Sequence, residues 1–167
     1  MYRTLDDFNA AHDQLADGTA RLLEGLTDAS LSQRVAPGHR TLGQLAWHLV
    51  VTVPEMLSLT GLPLSAIDPH APPPVEAAAV AAAYRAVSGE LRRAINDHWS
   101  DADLATVDPM YGQSWPRGLT LTALVHHEIH HRGQLTVLMR QAGLLVPGLY
   151  GPAREEWARF GKEAPPY

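Results

Sequence analysis

The sequence predicts an all-α fold: a four-helix bundle with a long crossover between its second and third helices and a short C-terminal helix, in one domain over residues 1–167. Four stretches repeat apolar residues at three- and four-residue spacing, the period of a helix with one buried face. No alternating strand pattern and no internal repeat interrupts them. Residues 60–74, TGLPLSAIDPHAPPP, lack such periodicity and read as a long surface connection. Such a segment reaches roughly 45 Å when extended, against about 27 Å for an 18-residue helix. It can therefore cross the bundle and let the second and third helices run parallel.

The first helix covers residues 4–26. Thr4, with Asp7 three residues on, supplies its N-terminal cap. Phe8, Ala11, Leu15, Leu22 and Leu26 form its stripe, with His12 close by. Residues 27–40, TDASLSQRVAPGHR, are a polar connection rich in turn formers. Thr41 and Gln44 open the second helix with a capping-box pattern. Its inward face is Leu45, His48, Leu49, Thr52 and Met56, and Pro54 is expected to kink it or end its first segment before a boundary near Leu59.

The third helix, from Val75 to about His98, carries Val80, Tyr84, Val87, Leu91 and Ile95 on its stripe, with His98 at the end. Ser100 and Asp101 begin a loop bearing Tyr111, Trp115, Pro116 and Gly118; its aromatic residues either line a pocket mouth or plug the end of the bundle. Thr120 caps the fourth helix, which ends near Gly143. Beyond a Gly/Pro loop, Pro152 begins a terminal helix for Trp157 and Phe160 to dock.

Composition excludes several function classes. Hydrophobic residues at 46% and charged residues at 19% are ordinary for a soluble globular protein. The net charge is −5 and basic residues are spread singly apart from Arg92-Arg93, which leaves no nucleic-acid footprint and no basic face for a membrane. No stretch approaches about 18 unbroken apolar residues and the N-terminus has no signal pattern, so the expected location is cytoplasmic. The chain has no cysteine, so any thiol chemistry has to use a thiol brought by a substrate.

The chemistry concentrates in the fourth helix, where His126, His127, His130 and His131 fall within six positions. At about 100° per residue, His127 and His131 lie on the face that also carries Leu124, Leu135 and Leu138, while His126 and His130 point away. An i, i+4 imidazole pair is a metal-chelating geometry, and here it interrupts an apolar stripe. Two donors do not complete a site. His48, in the middle of the second helix's stripe, is the third candidate. Three histidines would leave one coordination position open, the mark of a catalytic site. Imidazole suits zinc, nickel and iron alike, so the divalent metal is not specified. Glu128, at the edge of the inward face, is the candidate catalytic residue, as a base or as an orienting group; a solvated flank is the bland alternative.

Two other motifs share these letters. His127-Glu128-Ile129-His130-His131 matches the metalloprotease pattern H-E-x-x-H, with Glu155 or Glu156 downstream as a further ligand. No sheet pattern precedes the helix to form a substrate shelf, and the residues that follow do not match the extended motif. Glu128 to His131 also matches one unit of a di-iron bundle, but no second Glu-x-x-His unit exists.

The segment HHEIHHRGQL resembles the H-x-x-x-H-R-G-Q signature of the DinB/YfiT-like superfamily, and TLGQLAWHLV is similar to that family's second-helix segment. The order of elements agrees over nearly the whole chain. The resemblance implies an up-down-down-up bundle with a metal held by His48, His127 and His131. It also implies a leading activity: thiol S-transferase-like chemistry, in which the metal activates a low-molecular-weight thiol cosubstrate against a small electrophile. Alternatives are a non-catalytic, stress-related metal-binding protein whose fourth ligand is Glu55, His12 or Glu128, and a metal-dependent hydrolase. The expected partner is a small molecule. A homodimer is suggested by the resemblance and by the apolar surface a small bundle leaves.

Overall fold

The computed structural model describes residues 1–166. It is mostly helical, with four long α-helices and one small sheet: α1 (Leu5–Glu24), α2 (Leu42–Ser58), α3 (Ala77–His98), a hairpin of β1 (Val107–Met110) and β2 (Gln113–Pro116), and α4 (Arg117–Gln141). Short 3-10 turns at Asp28–Ser32, Asp101–Ala105 and Arg154–Phe160 join or follow them. α1 packs against α3 and α4, and α2 packs against the same two helices. Among the described residues no helix is long and apolar enough to cross a membrane.

The helix starts follow local capping chemistry. The Thr4 hydroxyl accepts from the Asp7 amide, and Thr41 and Gln44 form a reciprocal capping box. α2 continues through Pro54 to Ser58, so the proline does not end it. α3 begins two residues later than expected. Val75 is exposed, and the Ala77 amide is capped from outside the helix by the Asp28 carboxylate at 2.7 Å. Residues Phe8, Leu15, Leu22, Leu45, Leu49, Val80, Tyr84, Leu91, Ile95, Leu121 and Leu135 form the centre of the core.

The connection between α2 and α3 runs over the surface and is pinned at several points. Glu90 accepts from the amides of Ser65 and Ala66, each at 2.8 Å, and the Trp47 indole donates to the Ala71 carbonyl at 2.7 Å. Leu62 tucks beneath it into the core.

Four expectations need correction. A strand pair is present where none was expected. Its sequence hides it, because Pro109 lies in β1 and the two-residue turn is Tyr111-Gly112, both with positive φ (50° and 78°). The hairpin is anchored where Arg117 pairs with Asp108 at 2.9 Å and stacks over Trp99. α4 accordingly starts at Arg117, and Thr120 lies wholly buried inside the helix instead of capping it. His98 is exposed, and Trp99 takes the buried position at the end of α3. The terminal segment is a 3-10 turn whose Phe160 faces solvent. It is held by Glu155 on Arg140 and by Glu156 on the amides of Gly148 and Ala153.

His12 is a core residue. It is 4% exposed, stacks on Phe8 and leaves Nδ1 without a partner. Burial, first of all, depresses its pKa from 6.5 to about 4. A base depressed on folding contributes stability above its unfolded pKa and loses it as the pH falls. Replacing His12 with Gln is expected to shrink the loss of unfolding free energy between pH 7 and pH 4 by about 3 kcal/mol, read from urea titrations at each pH.

Candidate metal centre

α2 contributes His48 and α4 contributes His127 and His131, and the packing of these two helices brings the three imidazoles together. Nε2 of His48 and Nε2 of His131 each lie 3.1 Å from Nε2 of His127, and the three donor atoms lie within 4.8 Å of one another. The rings meet edge-on, with centroids 4.4 to 4.9 Å apart. His48 and His127 are half-buried; His131 is buried.

Neighbouring groups fix how each ring is oriented. Nδ1 of His131 lies 2.7 Å from Oε1 of Gln134, an acceptor, so its proton sits on Nδ1 and Nε2 presents a lone pair. Nδ1 of His48 faces the Thr52 hydroxyl at 3.4 Å, and that hydroxyl gives its own proton to the His48 carbonyl at 2.7 Å. Nδ1 of His127 is buried without a partner. With His48 and His131 protonated at Nδ1, only His127 can place a proton between the three Nε2 atoms, and one proton serves only one of two 3.1 Å contacts. A cation at the centre satisfies all three.

The spacing fits. Metal–nitrogen bonds of about 2.0–2.1 Å at a tetrahedral angle separate the nitrogens by about 3.3 Å. Charge fits as well, since ligation needs neutral imidazole. Burial is the largest influence holding all three rings below the usual histidine range, to about 4 for His48 and His127, and the positive charge of Arg40 adds to it in each case.

The other sequence candidates sit elsewhere. Glu128 turns into the core at 4% exposure, where its Oε1 accepts from the hydroxyls of Thr19 on α1 and Tyr84 on α3, each at 2.5 Å. None of its hydrogen bonds reaches a histidine. Burial raises its pKa, and the two hydroxyls and Arg132 oppose that rise. Glu155 and Glu156 are engaged in the terminal turn, and Glu55 accepts from the Tyr111 hydroxyl at 2.9 Å. His126 is exposed, whereas His130 lies 3.1 Å from Gln134 Nε2 and braces that amide. Gln134, the last letter of the H-x-x-x-H-R-G-Q match, was given no role from the sequence; its position three after His131, one helical neighbour away, was the available signal.

Cavities open on both sides of the centre. One of about 300 Å³ is lined by His48, His127, Thr52, Met56, Tyr111 and Trp115. The aromatic residues of the hairpin therefore line a pocket. On the other side His131 and His48 each border a cavity shared with His39 and Arg40, of about 370 and 530 Å³.

Comparison with known proteins gives a consistent family assignment. The profile described as DinB family matches residues 1–165. The chain is 45% identical over 165 residues to the Bacillus subtilis (strain 168) protein named "Uncharacterized protein YrdA", covering 99% of both. A crystal structure of a DinB-like protein from Bacillus cereus ATCC 10987 superposes with a TM-score of 0.86 at 44% identity, covering 90% of this chain and 100% of that one. A DinB-like protein of Bacillus subtilis, YjoA, at 17% identity and a TM-score of 0.65, covers 82% of this chain and 92% of its own and shares the fold.

The Glu128 tether is testable apart from any metal. Removing the Tyr84 hydroxyl leaves a buried carboxylate short of one donor, so Tyr84→Phe is expected to cost about 1.5–3 kcal/mol of unfolding free energy at neutral pH. Since the folded carboxyl titrates above its ordinary 4.5, its contribution falls as the pH rises past that value, and Tyr84→Phe should steepen the fall.

Proposed function

The chain belongs to the DinB family, and from that premise we propose that it is a metal-dependent enzyme acting on small molecules, built as one four-helix bundle domain in up-down-down-up order. His48, His127 and His131 hold one divalent cation through their Nε2 atoms. The leading reaction is thiol transfer to a small electrophile. The observation that carries this reading is the convergence of three neutral imidazoles in a group with no fourth protein donor among the described residues.

A zinc, nickel or iron ion held there would supply a Lewis acid able to lower the pKa of a thiol or water. The chain's own residues do the rest. Gln134 fixes the His131 tautomer from outside the ligand ring, and Thr52 faces the corresponding atom of His48. Glu128 is a positioning residue: it ties α4 to α1 and α3 one position from His127. The pocket walled by Met56, Tyr111 and Trp115 receives the electrophile beside His127. In the transfer the thiol proton leaves to solvent, the sulfur lone pair forms the new carbon–sulfur bond, and the leaving group departs with its electron pair.

The structural-staple alternative needs a fourth protein ligand, and its three candidates are engaged elsewhere: Glu55 with Tyr111, Glu128 with Tyr84 and Thr19, His12 stacked on Phe8. A protease would need the Glu128 carboxylate at the cation, and its two hydroxyl partners hold it in the core.

Protein purified without nickel-affinity chromatography is expected to carry about one equivalent of transition metal, and to gain melting temperature on zinc addition through mass action. His127→Ala should abolish both effects and the thiol transfer, measured with a low-molecular-weight thiol and a chromogenic electrophile. Equal rates in wild type and variant would overturn the catalytic reading. Gln134→Leu keeps all three ligands and should weaken metal affinity by about 10–100-fold, measured by competition with a chelator.

A further inference from the structure

The 33–41 loop packs beside the three histidines. An antiparallel bridge pairs Arg34 with Thr41, and the Leu42 amide donates to the Gln33 carbonyl at 2.7 Å. These contacts close the loop on itself, and Arg34 and Arg40 both border the cavity that reaches His48. Neither guanidinium takes part in an ion pair or a side-chain hydrogen bond among the described residues, whereas Arg85, Arg92, Arg117 and Arg140 are paired with carboxylates; Arg3, Arg93 and Arg154 are unpaired too, but none of them borders a cavity at the three histidines. Arg40 borders both cavities on this side of the centre, and Arg34 borders the one that reaches His48. No aspartate or glutamate lines either cavity, in a chain whose net charge is −5. Val35 and Val137, 62% and 53% exposed, give one of the cavities an apolar wall.

We propose that Arg34 and Arg40 form an anion subsite, which binds the carboxylate or phosphate of a small ligand whose other end reaches the three-histidine centre. The centre is then two-sided. An anionic cosubstrate enters over Arg40, and an uncharged electrophile enters from the Met56, Tyr111 and Trp115 pocket, whose one carboxylate is already bonded to Tyr111. The size of the basic cavities suits a compact ligand with an apolar link between its anionic group and its reacting atom. Uncompensated guanidiniums at a cavity mouth also raise the local concentration of an anion before it docks. This inference rests on the proposed reading of the centre and assigns its substrate class.

The test uses the cobalt-loaded full chain and three short thiols that differ in charge: 3-mercaptopropionate, 2-mercaptoethanol and cysteamine. Their binding is followed by the sulfur-to-cobalt absorption band. The anionic thiol is expected to bind about tenfold tighter than the neutral one at low salt, with the cationic thiol weakest, and the ratio should decline as salt is added. In Arg34→Gln/Arg40→Gln the anionic-to-neutral ratio should fall to about one to two. A wild-type ratio near one, or a ratio unchanged in the double variant, overturns the subsite.

If none of the thiols perturbs the cobalt spectrum, thiol chemistry fails while the subsite is still judged by calorimetry with succinate and inorganic phosphate. Binding that disappears in the double variant upholds it, and the tighter of the two identifies the anionic group. Absence of binding to either, or binding that persists in the double variant, overturns it.

Discussion

Three uncharged nitrogens aimed at one point create the constraint on which the candidate site depends. Two contacts of 3.1 Å share at most one proton, so the arrangement is under-satisfied unless something positive sits between the rings. The surroundings reinforce that condition. Partial burial and Arg40 keep the rings from taking up protons, Gln134 commits the His131 proton to the far side of its ring, and the packing of α2 on α4 sets the separation. Burial and Arg40 keep the rings neutral, while Gln134 and the helix packing direct their Nε2 lone pairs to one point, which is what ligation needs.

The same helix that presents the imidazoles also carries an acid in the opposite sense. Glu128 follows His127 directly, yet its carboxylate ends among Thr19 and Tyr84 and not beside the ligands. A buried carboxyl with only hydroxyl donors is costly by itself. What it provides is registry, because its partners come from α1 and α3 and fix α4 against both. Arg132, one turn further on, does the same from its own side by donating to the Leu15 carbonyl. The residues alternating with the metal candidates along α4 thus hold the helix at a defined rotation, and the metal candidates inherit their direction from it.

Much of this was legible in the sequence because periodicity is a local property. The i, i+4 pair and the lone histidine in the α2 stripe stand out as polar letters on apolar faces, and the structure gathers those three. The role of Glu128 was not legible, since a helical wheel puts it at the edge of the inward face and cannot show which hydroxyls other helices bring to meet it. The hairpin was hidden by Pro109 and by a turn that combines a tyrosine with a glycine at positive φ, two departures from the usual strand and turn signals. That Arg34 and Arg40 border one cavity follows from a loop closed by the Arg34–Thr41 bridge and the Leu42–Gln33 hydrogen bond, and no spacing rule predicts that closure.

The pocket's aromatic wall is mounted on that hairpin, outside the helices that hold the histidines. Tyr111 sits at the tip of a two-residue turn, tethered to α2 through Glu55, and Trp115 follows on the return strand. The residues that line the cavity can therefore change, or the turn lengthen, while the helices that carry the three histidines stay as they are. The shape of the cavity is thereby set by a short ribbon whose sequence is free of the packing that fixes the histidines.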